Sequence, residues 1–146
     1  MADIQRTTHD DPRYAEEREL RNAVLLRPIG QPDGAWEARD HEAHHFLALE
    51  DGRVVGCMLC WPVAGSPGVG QLMQMAVAED RQGEGIGAQL VRALQAQAGE
   101  LGLHTITCHA RANVVGFYAR LGFEVEGEPF EEVGIAHRHM RWRGRL

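Results

Sequence analysis

Apolar and polar residues recur along this chain in two periods, one helical and one extended. In "PRYAEERELRNAVLL", residues 12–26, Leu20 and Val24 fall on one face among charges, which predicts an amphipathic helix. "RPIGQPDG" breaks it with prolines and glycines. "HHFLALEDGRVVGCMLCW" holds two apolar runs joined around Asp51-Gly52, the signature of a β-hairpin. The turn-rich "PVAGSPGVG" leads into a strand, "QLMQMAVA". A glycine-rich segment then opens a helix of about four turns, with Ile86, Leu90, Leu94 and Leu101 on or near one stripe and Gly102 as its stop signal. "HTITCHA" reads as a short strand. In "NVVGFYARLGF", Asn113 is a favourable N-cap, Val114, Phe117, Tyr118 and Leu121 recur at helical spacing, and Gly122 closes the helix. The remainder reads as two strands separated by an acidic bend, "EGEPFEEVG". This order predicts an α/β fold in a single domain, 1–146, with a mixed, mostly antiparallel central sheet flanked by helices.

Composition narrows the function. At 146 residues, 44% hydrophobic and 25% charged, the chain has the make-up of one soluble globular domain. No apolar run approaches the roughly 20 residues of a membrane span. The polar N-terminus does not read as a signal peptide, so a cytoplasmic location is expected. A net charge of −6 argues against a nucleic-acid partner. All 15 basic residues are arginine, which excludes a lysine Schiff base and a P-loop lysine. Cys57 and Cys60 have C-x-x-C spacing but lie on an expected strand, where residues three apart point to opposite faces. They cannot share a metal, and they read as buried structural thiols.

Candidate chemistry begins at "QMAVAEDRQGEGIGAQLVRAL", which sets Gly83, Gly85 and Gly87 where a strand feeds a helix. The first amides of a helix lack acceptors and sit at the positive end of its dipole, and glycines let an anion reach them. A P-loop is excluded by the missing lysine. A dinucleotide fingerprint matches loosely through Gly83, Gly85 and Ala88, but no acid stands about 20 residues on.

A third pattern fits better. "RQGEGIGAQL" resembles the Q/R-x-x-G-x-G/A signature of the GNAT superfamily of N-acetyltransferases, through Gln82, Gly85 and Gly87. "QMAV" looks like that family's fourth strand, and "NVVGFYARLGFE" resembles its later motif, with F-Y-x-x-x-G-F. "ARDHEAHHFLALEDGRVVG" and "EPFEEVGIAHRHM" extend the likeness to the ElaA-like branch, with Ala136 where that branch usually carries proline.

The resemblance implies acetyl-CoA as the cofactor. The amides of Gln82, Gly83, Glu84, Gly85, Ile86, Gly87 and Ala88 would cradle its pyrophosphate. The main chain at Met75, Ala76 and Val77 would pair with the pantetheine arm, given a gap between strands such as a β-bulge opens. Asn113 is either a helix cap or a cofactor contact, Phe117 lines the cofactor, and Arg120 either reaches a phosphate or is solvated. Tyr118 matches the family tyrosine that supplies the leaving thiolate with a proton, although it also lies on the apolar stripe of its helix. Glu132 and His137 match E-x-G-I-x-H and would line the amine pocket, unless they are a surface acid and a strand histidine. Gln74 cannot accept a proton but could hold a water on the strand edge.

The acceptor is expected to be a primary amine on a small molecule or peptide, and the acidic "EPFEEVG" suggests a cationic one. A homodimer is compatible with the family. Two rival readings stand beside this one. A non-catalytic acyl-CoA sensor could use the same scaffold. "HEAHH" also satisfies H-E-x-x-H through His41, Glu42 and His45, but that zinc motif needs both histidines on one helical face. Here it runs into an expected strand, where His44 and His45 face opposite ways, so no metal is expected.

Overall fold

A computed structural model describes residues 2–144. Seven strands form one sheet: β1 (Asp3–Thr7), β2 (His44–Glu50), β3 (Arg53–Pro62), β4 (Val69–Val77), β5 (Thr105–Arg111), β6 (Glu124–Glu132) and β7 (Ile135–Arg143). Their order is β1-β2-β3-β4-β5-β7-β6. Every neighbouring pair is antiparallel except β4–β5. That pair is parallel because β4 returns to the sheet through a helix, α2 (Ile86–Gln97).

The sheet carries a core on each face. Ile86, Leu90 and Leu94 of α2 bury against Phe46, Met58, Ile106 and Met140, with Tyr118 of α3 (Val115–Arg120) at one end. On the opposite face, Leu47, Leu49, Val54, Cys57 and Ala76 pack under Leu20, Val24 and Leu25, which follow or belong to α1 (Tyr14–Arg21). Cys57 and Cys60 fall in different cores, as strand alternation requires.

Several boundaries differ from the sequence expectation. β1 has no sequence signal: "DIQRT" is mostly exposed and lacks an apolar alternation, and its strand form comes from pairing with β2. The first helix keeps α geometry only to Arg21, then widens into a π-helical turn over Asn22–Leu26. α2 stops at Gln97, so Leu101 lies beyond it. The acidic "EGEPFEE" is part of β6 rather than a bend, with a register shift between Glu126 and Phe130. The hairpin turn is Val133-Gly134 alone. Asn113 is not the cap of α3: it lies in a 3-10 turn, Ala112–Val114, and Val114 takes the N-cap position without a side-chain bond.

One irregularity positions the site. β4 and β5 pair only from Val69–Leu72 to Thr105–Cys108, and then diverge. Beyond Leu72, Gln74 adopts φ 57, a left-handed conformation in mid-strand, and the β3–β4 register shifts beside it. This is the bulge that opens one side of β4.

Candidate active site

The divergence of β4 from β5 forms a cleft of about 930 Å³ that runs from the start of α2 to the tip of the β6–β7 hairpin. Its phosphate-sized end is built by backbone. Gly83 and Gly85 have φ 83 and 86, and a Cβ on either would meet nothing within 4 Å, so both open directly onto space. Gly85 is the N-cap of α2, and no side chain caps that helix. Among the described residues, no amide from 83 to 88 donates to a protein acceptor, the first helical bond being Gln89 N–H to the Gly85 carbonyl. Six consecutive N–H groups therefore have no acceptor among the described residues. Gly87 has ordinary φ, but a Cβ there would sit 3.5 Å from Phe117 Cζ and 3.6 Å from Met75, inside the channel.

The unpaired side of β4 continues this surface. Ala78 N–H donates to the Val55 carbonyl on β3, so by strand alternation Val77 and Met75 turn their polar groups toward β5, which has no residue paired there. The Val77 carbonyl accepts a hydrogen bond from Gln82 Nε2 at 3.0 Å, which ties the glycine loop to the strand and leaves the Val77 amide exposed to the cleft.

Tyr118 lines the same cleft from the α3 side, only 6% exposed, wedged edge-on between Phe117 and Phe123. Its hydroxyl makes no hydrogen bond with a described residue, yet the oxygen itself is not fully buried and borders the cleft. Burial, and then the nearby Cys108, hold its proton more tightly than in water.

The opposite wall carries a polar relay. Glu132 Oε1 lies 3.1 Å from His109 Nδ1, and its Oε2 lies 3.6 Å from His137 Nε2. His137 Nδ1 is fixed by donating to the Ile135 carbonyl at 2.7 Å. His109 Nε2 meets Gln71 Nε2 at 3.3 Å, and Gln71 Oε1 accepts from Trp61 Nε1. Glu132 is thus a half-exposed carboxylate hydrogen-bonded to His109, with the His137 ring beside it. His109 and Gln71 had no separate signal in the sequence, because a single polar residue on an alternating strand looks like any solvated position. Of the acids in "EPFEEVG", Glu132 alone lines the cleft, while Glu128 and Glu131 are exposed on edge strand β6.

Gln74 lines the cleft with its amide anchored at both ends. Its Oε1 accepts from Arg21 Nε at 3.3 Å and its Nε2 donates to the Trp36 carbonyl at 3.1 Å. Arg21 in turn is fully buried with Glu17, Asp40 and His45. His45 therefore belongs to this network and not to a zinc site: His41 and Glu42 lie in a 3-10 turn and His45 on β2, so the two histidines never share a helical face.

The cleft brings together Gln74, Met75, Ala76, Val77, Gln82, Gly83, Gly85, Ile86, Gly87, Ala88, Phe117, Tyr118, Glu132 and His137. Glu84, Asn113 and Arg120 lie outside its lining, although the Glu84 amide remains in the unpaired run. Of the four described non-glycine residues with left-handed φ, three (Trp36, Gln74 and Val133) line this cleft, at about 1–3 kcal/mol of backbone strain each. The fourth, Asp51, is the β2–β3 hairpin turn.

Known proteins share this architecture. The chain is 29% identical over 131 residues to the uncharacterized N-acetyltransferase YitI of Bacillus subtilis, an alignment covering 86% of this chain and 87% of that one. The crystal structure of Escherichia coli ElaA superposes with a TM-score of 0.85, over 98% of this chain and 100% of that one, at 21% identity. A GNAT family acetyltransferase from Elizabethkingia anophelis, solved with acetyl-CoA bound, gives a TM-score of 0.70 over 97% of each chain at 20% identity. The sequence profile of the acetyltransferase (GNAT) family matches residues 3–123. A profile match over that span, on a chain whose sheet opens beside a bare helix start, places this protein in the GNAT family of acetyltransferases.

Proposed function

We propose that this protein transfers the acetyl group of acetyl-CoA to a primary amine by direct attack on the thioester. The observation that carries the reading is the continuous run of unpaired main chain, from the freed side of β4 through the amides of 83–88. The group fits these residues. The open glycines admit a diphosphate to the backbone, the helix start is positive, and the strand side can accept an extended amide arm as an added strand.

Bound acetyl-CoA supplies an activated acyl group as a thioester. The chain's own residues do the rest. The amides of Gly83 to Ala88 grip the diphosphate, and Met75 and Val77 pair with the arm. One of these strand amides is positioned to donate to the developing oxyanion. Tyr118 keeps its phenolic proton at Oη until the departing sulfur needs it. Glu132, held by His109, receives the proton the amine must lose, directly or through one water.

A thermal-shift titration with acetyl-CoA tests the cofactor assignment. At about 100 times Kd a ligand adds roughly 2.7 kcal/mol, which raises the Tm of a domain this size by several degrees. A thiol-release assay over a set of amines then tests turnover. No shift at high acetyl-CoA concentration overturns the assignment.

A further inference from the structure

The far half of the cleft is shaped for the body of the acceptor, and its residues are unusual for a soluble surface. Trp36 and Val133 are 41% and 47% exposed, two of the three large hydrophobic side chains left exposed among the described residues. Both line the cleft, and both stand on left-handed backbone, φ 67 and 48. The Val133-Gly134 turn has a close counterpart in the same sheet. The β2–β3 hairpin solves the same two-residue problem with Asp51-Gly52, the residue types that tolerate positive φ at both positions. At the β6–β7 tip a β-branched residue takes the first position, the least suitable class of side chain there. Nothing in the turn itself favours valine, and Val133 lines the cleft together with Trp36, Trp61 and the apolar π-turn residues Val24 and Leu25.

Charge points the same way. Away from the glycine loop, the charged side chains lining the cleft are Arg39, which also pairs with Glu42, and Arg111, against the single acid Glu132, which already accepts from His109. Arg39 lies flat over the Trp61 ring at 4.4 Å. A second positive charge on the acceptor would meet an indole face already taken by Arg39, and no second carboxylate in the lining.

We infer that the acceptor is a primary amine carried on an apolar, ring-sized body with no second positive charge, with Trp36 and Val133 as the residues that select it. This rests on the acetyltransferase reading above and goes beyond it in naming the substrate class, against the cationic acceptor that the sequence suggests.

The experiment compares kcat/KM, by thiol release, for 2-phenylethylamine and tryptamine against 1,4-diaminobutane and a lysine-containing peptide. The aryl amines are expected to lead by tenfold or more. Trp36→Ala and Val133→Asn are each expected to raise KM for the aryl amines about tenfold, with the loss carried by KM. Val133→Asn is also expected to raise Tm, because asparagine tolerates the turn's backbone. Lost acceptor affinity in a more stable protein is a pairing that a purely structural role for Val133 does not produce. Preference for the diamine or the peptide, inertness of both aryl amines, or an unchanged KM in both variants overturns the inference. Acetyl-CoA on the wild-type protein keeps the two failures apart. A normal Tm shift with the wrong amine preference sinks only the substrate class, whereas no shift sinks the transferase reading itself.

Discussion

At the scale of single residues, Tyr118 shows how a core position can also be a reagent. It sits on the apolar stripe of α3 and packs between two aromatic rings, yet its hydroxyl has no partner among the described residues and borders the cleft. Removing that oxygen leaves the packing in place, so Tyr118→Phe is expected to lower kcat by about 10²-fold, the lower end of what proton transfer contributes. The acetyl-CoA thermal shift should stay unchanged, and a variant with wild-type kcat would assign the leaving-group proton elsewhere. Tyr118 could be singled out because its pattern sits on a helix that could also be read, whereas Glu132 came from the family pattern alone, on a stretch expected as a bend that is strand β6. His109 was not, since nothing in "TITCHA" separates a histidine that braces Glu132 from one that faces water. Gln74 was legible as a site residue but its partners were not, because they come from residues 38 and 53 positions away in the chain.

Among the elements, α2 answers why three glycines crowd its start. Gly83 and Gly85 are needed for their backbone conformation, and Gly87 only for the room it leaves. The distinction is testable. Alanine suits a helix better than glycine by about 1 kcal/mol, and its methyl would make ordinary contacts with Phe117 and Met75. Gly87→Ala is therefore expected to raise Tm in the free protein by a few degrees. The same methyl narrows the channel beside β4, so KM for acetyl-CoA should rise several-fold. Hydrophobic period and turn chemistry made α2, the β2–β3 hairpin and the mixed sheet readable in advance. β1 was not readable, because it is an edge strand whose form depends on its partner rather than on its own side chains. The π-helical turn after α1 was hidden for a similar reason: its apolar spacing is helical, and only packing against the sheet selects the wider coil.

For the whole molecule, the buried ionic group ties the N-terminal helix to the sheet. Arg21 bonds Glu17 at 3.0 Å and Asp40 at 2.7 Å, His45 Nδ1 meets Glu17 at 2.8 Å, and Tyr14 donates to Asp40. With His45 protonated, two positive groups face two negative ones, and no net charge is buried. Burial opposes the imidazolium, but the hydrogen bond and charge of Glu17 outweigh it and raise the His45 pKa above its ordinary 6.5. A histidine whose folded pKa exceeds its unfolded value contributes fully below about pH 6.5, and that contribution is lost as pH climbs through the folded value. Urea midpoints measured from pH 6 to pH 9 should therefore fall with rising pH, and His45→Gln should flatten that slope. A wild-type midpoint that rises across the range would show that the ring is buried neutral.

Gln74 fastens that ionic group to one wall of the cleft, and a seam only four positions long, between β4 and β5, divides this wall from the other. The donor's wall is laid down by residues 69–88, which must conserve a backbone shape. The hairpin tip facing it arrives from a separate, later stretch of chain. The Gln71–His109 contact still crosses the seam, so a change at the tip that moves Glu132 is felt through His109 as far as Trp61 on the other side.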